Sequence, residues 1–273
     1  MKSAVTISLV PQVKGGPFVF WDGLADGCRR AAGLGFDAVE IFPPAAEAIK
    51  KPELMELLDR HNLRVAAIGT GAGWAVHKLS LTSGDAAVRD QAKRFIRDII
   101  DLASEFRAPA IIGSMQGRGE EPATRQQALT WLKQGLEELG EHAAVKGQVL
   151  LYEPLNRYET NLFNRVGDAA GFLDTLTTRN IRILADLFHM SIEESSIPAA
   201  LQNAGRHLGH VHFSDSNRQA IGFGHTSVAP IIEALQKIGY QGYLSAEILP
   251  LPDSDAAARQ TIASFRQHTL PPC

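Results

Sequence analysis

Leu150-Leu151-Tyr152-Glu153-Pro154-Leu155-Asn156-Arg157-Tyr158-Glu159 is the stretch on which the reading of the fold turns. The apolar run from Val149 to Tyr152 reads as a buried strand that ends on a carboxylate, Glu153. Pro154 stops it, because proline has no N–H to give to a sheet ladder. A second carboxylate, Glu159, follows six residues after the first, in a polar segment. A strand that closes on an acid and opens into a polar loop fits the mouth of a parallel barrel, where the loops after the strands build sites. Taken alone, it fits a surface acid at a strand end equally well.

Three later stretches repeat the pattern. Ile183-Leu184-Ala185-Asp186 and Leu244-Ser245-Ala246-Glu247 each end on an acid, and Gly209-His210-Val211-His212 ends on histidine. Glu153, Asp186, His212 and Glu247 are separated by 33, 26 and 35 positions, close to the length of one βα unit. Four successive strands would therefore deliver one metal-type side chain each to the same rim. Carboxylate oxygens with a single imidazole suit one divalent ion of the Mn²⁺, Mg²⁺ or Co²⁺ type better than a thiolate-seeking metal.

The rest of the chain supports a single (β/α)₈ domain over residues 1–273. Its length suits one such barrel, which takes about 250 residues. Strand-like runs at 4–10, 37–42, 64–68, 108–114, 148–153, 181–186, 208–213 and 242–248 alternate with helical patterns at 22–32, 52–60, 85–106, 124–145, 167–176, after Pro198, 228–238 and 253–266. The helix over 85–106 shows the regularity most plainly, with Val88, Ala92, Phe95, Ile96, Ile99, Ile100 and Ala103 on one stripe and Asp85 or Ser83 available as a cap. An open doubly wound sheet is the alternative architecture. The barrel is preferred because side chains on late strands converge only if the sheet curls. Gly69-Thr70-Gly71-Ala72-Gly73-Trp74 lacks the spacing of a dinucleotide fingerprint and reads as a rim loop, with Trp74 either walling a pocket or packing on the barrel. The glycine-rich loop 115–121 is either a lid or a mobile connection.

Composition narrows the class. Lys+Arg number 27 and Asp+Glu 30, a net charge of −3, so no general basic surface for nucleic acid is expected. Two cysteines, Cys28 and Cys273, make no disulfide framework, which fits a reducing cytoplasm. No signal segment and no apolar run near ~20 residues is evident, so no membrane partner is expected. Pro271-Pro272-Cys273 reads as a frayed tail.

In strand order Glu153 and Glu247 flank Asp186 and His212, so the two glutamates can approach a bound molecule from opposite faces. A divalent ion chelated by a ketone oxygen and a neighbouring hydroxyl acidifies the C–H beside the carbonyl and stabilises the resulting enediolate. A base on one face and an acid on the other would then invert that carbon, provided their pKa values are pushed apart. Glu159, His189 and Arg218 follow proposed ligands by three to six residues and are placed to hold substrate oxygens. Against this, Glu159 and Arg218 could form an ordinary loop ion pair, and His189 could pack locally. Glu40, at a strand end closed by Pro43-Pro44, is either an outer partner of the site or an exposed acid. His210 is expected to face away from His212, and His225 has no assigned role.

At these residues the chain resembles the xylose-isomerase-like sugar isomerase/epimerase superfamily, in its D-tagatose/D-psicose 3-epimerase and keto-sugar-acid epimerase branch. The motifs that carry the likeness are Glu153-Pro-Leu-Asn-Arg-Tyr-Glu159, Asp186-Leu-Phe-His-Met-Ser-Ile-Glu-Glu194, His212-Phe-Ser-Asp-Ser-Asn-Arg218 and Glu247-Ile-Leu-Pro. The resemblance implies metal ligation by Glu153, Asp186, His212 and Glu247, with the two glutamates as acid/base pair. It implies substrate contacts from Glu159, His189 and Arg218, one Mn²⁺ (or Co²⁺ or Mg²⁺), a small sugar or keto-sugar acid as substrate, and a homo-oligomer, dimer or tetramer. Ile7-Ser8-Leu9-Val10 lacks the aromatic residues that line many pockets of that branch. An aldose–ketose or hydroxypyruvate-type isomerase would use the same enediolate. A superfamily nuclease would want more histidines and a basic surface, and a non-catalytic sugar-binding barrel would need no pair of glutamates on the metal.

Overall fold

The computed structural model describes residues 1–121 and 123–269, so the stretch 271–273 lies outside the described residues. Eight parallel strands close into a barrel in sequence order: β1 (Lys2–Ser8), β2 (Ala38–Phe42), β3 (Arg64–Gly69), β4 (Ala110–Ile112), β5 (Leu150–Tyr152), β6 (Ile181–Asp186), β7 (Leu208–His212) and β8 (Tyr243–Ala246). Closure is made by β1 against β8, with Lys2 opposite Tyr243 and Val5 opposite Ala246. Ten helices accompany the strands among the described residues: α1 (Leu24–Leu34), α2 (Lys51–His61), α3 (Ala72–Ala75), α4 (Ala86–Glu105), α5 (Arg125–Val145), α6 (Val166–Asp174), α7 (Leu187–Glu193), α8 (Ile197–Ala204), α9 (Val228–Lys237) and α10 (Ser254–Thr269). None is long and apolar enough to cross a membrane.

The strands bury both faces, as strands of a parallel barrel must. Their outer faces, among them Val5, Val39, Ile112 and Ile183, join Ile96, Ile99, Leu132 and Leu136 of α4 and α5 in one large core. Two smaller clusters stand apart from it. One is Ala67, Ile111, Leu151 and Leu184, and the other is Ala4, Ala38 and Ala66 with Tyr243 packed on them. Side chains two apart on a strand share a face, so Leu151 lies beneath Glu153 and Leu184 beneath Asp186. The barrel interior is thus apolar under β4 to β6 and turns polar at the C-terminal rim.

Helix starts follow their local chemistry. The Asp85 carboxylate accepts from Ala87 N–H at 2.8 Å, and Thr124 and Gln127 form a reciprocal capping box ahead of α5. Gly35 ends α1 with φ 84°, a left-handed conformation that favours glycine. Two helices break rims expected to be loops. The glycine-rich 69–74 segment contains α3, and α7 runs directly off β6 because the Asp186 carboxylate caps it through Phe188 N–H at 2.8 Å. Ordered strands β4 and β5 are three residues each, shorter than expected, since the ladder ends where the chains diverge into the rim. Cys28 is a buried free thiol in α1, and burial pushes it up to about 11, which leaves it unreactive.

Candidate active site

The four strand-end side chains meet. Glu153 and Glu247 stand one residue beyond β5 and β8, while Asp186 and His212 are the last residues of β6 and β7 and lie opposite each other in register. That pairing depends on a register shift at Ile183–Leu184, which brings the two side chains level. His212 Nδ1 is 3.4 Å from Glu153 Oε1, 3.7 Å from Asp186 Oδ2 and 3.5 Å from Glu247 Oε2. One ligand atom from each of the four lies within 4.8 Å of all the others.

Asp186 and His212 each have one polar atom occupied and leave the atom facing the cluster bare. Asp186 Oδ1 accepts from Phe188 N–H at 2.8 Å and from the Ser214 hydroxyl at 2.7 Å, whereas Oδ2 has no partner among the described residues. His212 Nε2 lies 3.1 Å from Glu40 Oε1, whereas Nδ1 has no partner. Glu247 Oε2 accepts from Arg218 Nη2 at 2.9 Å, and Glu153 Oε1 accepts nothing among the described residues. Buried polar atoms are almost always hydrogen-bonded, so orphans aimed at one point mark a ligand. Three carboxylates and one imidazole fit a hard divalent cation.

The electrostatics follow from burial and proximity. Burial and the neighbouring carboxylates push Glu153 up to about 8, despite the proximity of His212. Glu247 is likewise raised by burial, with the His212 and Arg218 charges opposing. Burial works against charge on His212 as well, but the carboxylates of Glu40 and Glu247 outweigh it and raise that imidazole. Against its burial, Asp186 is held well below the usual carboxylate range by His189 and His212, so a cation binding there would displace protons from Glu153, Glu247 and His212 rather than from Asp186.

The three residues expected beyond the cluster also converge on it. His189, on the first turns of α7, is buried. Its Nδ1 accepts from the Asn156 side-chain amide at 2.8 Å, and the Asn156 Oδ1 accepts from Tyr158 N–H, which orients that amide. The proton of His189 therefore sits on Nε2, 3.6 Å from Asp186 Oδ2 and 3.9 Å from Glu153 Oε1. Burial lowers its pKa, so the ring is neutral and presents one N–H to the cavity. Arg218 is no surface residue. Its guanidinium lies 4.9 Å above the Phe188 ring, bonds Glu247, and comes within 3.6 Å of Glu159 and 3.9 Å of Asp186. Glu159 Oε1 is also 3.8 Å from His189 Nδ1.

The loop that carries Arg218 is built on Asp215. Its buried carboxylate accepts from the backbone N–H groups of Ser216, Gly222, Gly224 and Thr226 at 2.7–2.9 Å. Burial alone would raise it, but these bonds hold it at about 2. Arg218 itself sits at φ 61°, an uncommon conformation that this loop holds in place.

Sequence reasoning was wrong about His210. Residues two apart on a strand point the same way, so His210 enters the barrel beneath His212 and bonds Glu40 Oε2 at 2.8 Å. Glu40 is buried between the two rings, which resolves its role against an exposed acid. Phe18 and Phe42 were missed. They stack at 4.4 Å and, with Gly69 and Gly71, wall the cavity beside the cluster. Phe18 comes from a segment that runs beside β1, through Phe20 paired with Ile7, so the aromatic wall absent from 7–10 is supplied from the next segment. Trp74 lies outside this cavity, with Lys78 above its ring, and so does His225, which donates its backbone N–H to the Ser216 hydroxyl. The 115–121 loop is fastened at its start rather than free: Thr160 Oγ1 donates to Gly117 O, and Gly119 and Asn161 bond each other twice.

A closed parallel barrel carries at its C-terminal rim a buried carboxylate–imidazole cluster that could hold a metal ion. The chain belongs to the xylose isomerase-like TIM barrel family, whose model matches residues 28–268. It is 29% identical over 262 residues to the L-ribulose 3-epimerase of Methylomonas sp. (strain DH-1), a match that covers 92% of this chain and 90% of that one. It is 30% identical over 224 residues to the D-psicose 3-epimerase of Enterocloster bolteae, covering 78% and 72%. Its fold matches the crystal structure of D-allulose 3-epimerase from Methylomonas sp. with a TM-score of 0.79 at 26% identity, over 98% and 99% of the two chains.

Proposed function

We propose that this chain, an enzyme of the isomerase class, is a divalent-metal-dependent epimerase that inverts a carbon next to the carbonyl of a free ketose or keto-sugar acid. The observation that carries the proposal is the convergence of orphaned atoms from Glu153, Asp186 and His212 beside the Glu247 carboxylate. In this reading Glu153, Asp186, His212 and Glu247 hold one ion, with Mn²⁺ the best fit and Co²⁺ or Mg²⁺ able to replace it. A divalent ion held by them would supply Lewis-acid polarisation of the substrate carbonyl. Glu153 and Glu247 exchange the proton of the carbon between them, one removing it and the other returning it on the opposite face. Arg218 aims Glu247 through its hydrogen bond, while Arg218, His189 N–H and Glu159 grip substrate oxygens. Phe18 and Phe42 shield one side of the cavity from water.

Incubating the protein with a panel of ketoses and keto-sugar acids in D₂O, followed by NMR of the products, tests this. An epimeric ketose with deuterium at the inverted carbon is expected. An aldose product instead would make the enzyme an aldose–ketose isomerase, and no exchange with any member of the panel would contradict the proposal.

Two substitutions probe the arrangement. Arg218→Ala removes a rigid fork of donors from the substrate side. It should raise KM at least ~10-fold, the cost of losing a charged hydrogen bond, and change Mn²⁺ affinity much less. Calorimetry in which metal affinity collapses while KM holds would remove Arg218 from the substrate side. At Gly113, a Cβ would stand 2.5 Å from Glu153 Oε2. Gly113→Ala should displace that carboxylate and lower kcat by up to ~10²-fold, as misplacements of about 1 Å do. Circular dichroism should show the fold retained. Unchanged kcat would mean that the position of Glu153 does not matter.

A further inference from the structure

We infer that Glu40, anchored by His210, is the positioning residue that aims His212 at the metal. The inference rests on the reading of the cluster as a metal site. Glu40 comes from β2, yet its carboxylate spans the barrel interior to two histidines of β7, 170 and 172 residues along the chain. All three side chains are buried, at 4%, 1% and 1% exposure. A buried carboxylate is costly unless it is fully paired, and its register neighbours, Thr6 on β1 and Ala67 on β3, bring no charge to pair it.

What the arrangement accomplishes is a fixed tautomer. Glu40 Oε1 and Oε2 each face one Nε2, at 3.1 Å for His212 and 2.8 Å for His210, and an ionised carboxylate can only accept. Both rings must therefore carry a proton on Nε2. With Nε2 committed, the ring nitrogen of His212 that faces Glu153, Asp186 and Glu247 is Nδ1, which has no protein partner among the described residues. The two imidazoles stand at 88° with centroids 5.6 Å apart, so His210 grips the second carboxylate oxygen without stacking on His212. A carboxylate held at both oxygens cannot turn, and it fixes the plane of the His212 ring. Carboxylates behind metal-binding histidines orient the ring and strengthen it as a ligand.

Glu40→Gln tests this, because an amide offers one acceptor and one donor to two N–H groups. It can satisfy only one histidine and must repel the other or force it to change tautomer. Titration of the metal-free protein with Mn²⁺, read by the EPR signal of the free ion, should show binding weakened about 10- to 100-fold. Turnover should recover at saturating Mn²⁺, with KM for the sugar near that of the unaltered protein. A merely structural role would lower the melting temperature of the metal-free protein and leave Mn²⁺ affinity alone. His210→Asn is the second variant. It keeps the Glu40–His212 contact and frees the other oxygen, so Mn²⁺ binding should weaken about threefold or more. If Glu40→Gln does not fold, His210→Asn decides the matter. Unchanged Mn²⁺ affinity in whichever of these variants folds overturns the inference. Failure of the unaltered protein to bind Mn²⁺ would instead overturn the metal-site reading itself.

Discussion

Glu153→Gln and Glu247→Gln should each lose at least ~10²-fold in kcat, the lower range for general acid–base catalysis. Glutamine keeps the size of the side chain and one ligating oxygen but cannot take up a proton. The two positions are not equivalent in their surroundings. Glu247 is bonded to Arg218, whereas Glu153 accepts no hydrogen bond at Oε1 and is raised to about 8 by burial and its neighbours. If they serve opposite faces, the single mutants should differ in exchange behaviour. The mutant that retains the base for one epimer should still wash that epimer's proton into D₂O without inverting the carbon, and the other mutant should do so only with the opposite epimer. Metal content has to be measured alongside, since a glutamine ligand can empty the site. Full metal occupancy with near-normal epimerisation in both mutants would reduce the two glutamates to ligands.

Chelation is expected to abolish turnover, and Mn²⁺ or Co²⁺ to restore it. The reason lies in the metal-free site itself: three carboxylates crowd one point, those of Glu153 and Asp186 with an orphaned oxygen each, a source of repulsion that a cation relieves. The same argument makes a stability prediction. An ion that binds only the folded chain adds about 2.7 kcal/mol at a hundredfold excess over its Kd. For a chain of this size that is a rise of roughly 5–10 °C in melting temperature. In Asp186→Asn both the rescue by Mn²⁺ and the thermal shift should be largely lost. Activity that survives exhaustive chelation, with no thermal shift on adding Mn²⁺, would contradict the metal reading.

The parts of the molecule that were legible in the sequence are those written locally. Each strand is an apolar run bounded by proline, glycine or charge, and the strand-end residues Glu153, Asp186, His212 and Glu247 recur at βα spacing, so their convergence could be read once the sheet was taken as closed. Asp85 as a helix cap was equally local. What could not be read depends on closure. Glu40 finds its partners across the barrel on β7, and no spacing in the chain encodes that distance. Phe18 reaches the cavity only because 18–20 lies alongside β1. The α7 helix has no apolar periodicity to announce it and starts because Asp186 turns one oxygen back onto Phe188. The orientation of His210 was available and was misread: counting by two along Gly209-His210-Val211-His212 puts both rings on one face.

The most direct test of the account is a crystal of the Mn²⁺-loaded protein measured for anomalous scattering at the manganese edge. The account predicts one strong peak at the C-terminal rim, within bonding distance of a carboxylate oxygen from each of Glu153, Asp186 and Glu247 and of His212 Nδ1, with Glu40 still on Nε2 of that ring. A fully loaded crystal with no peak among these four residues, or with the ion on Nε2 between His212 and Glu40, would contradict it.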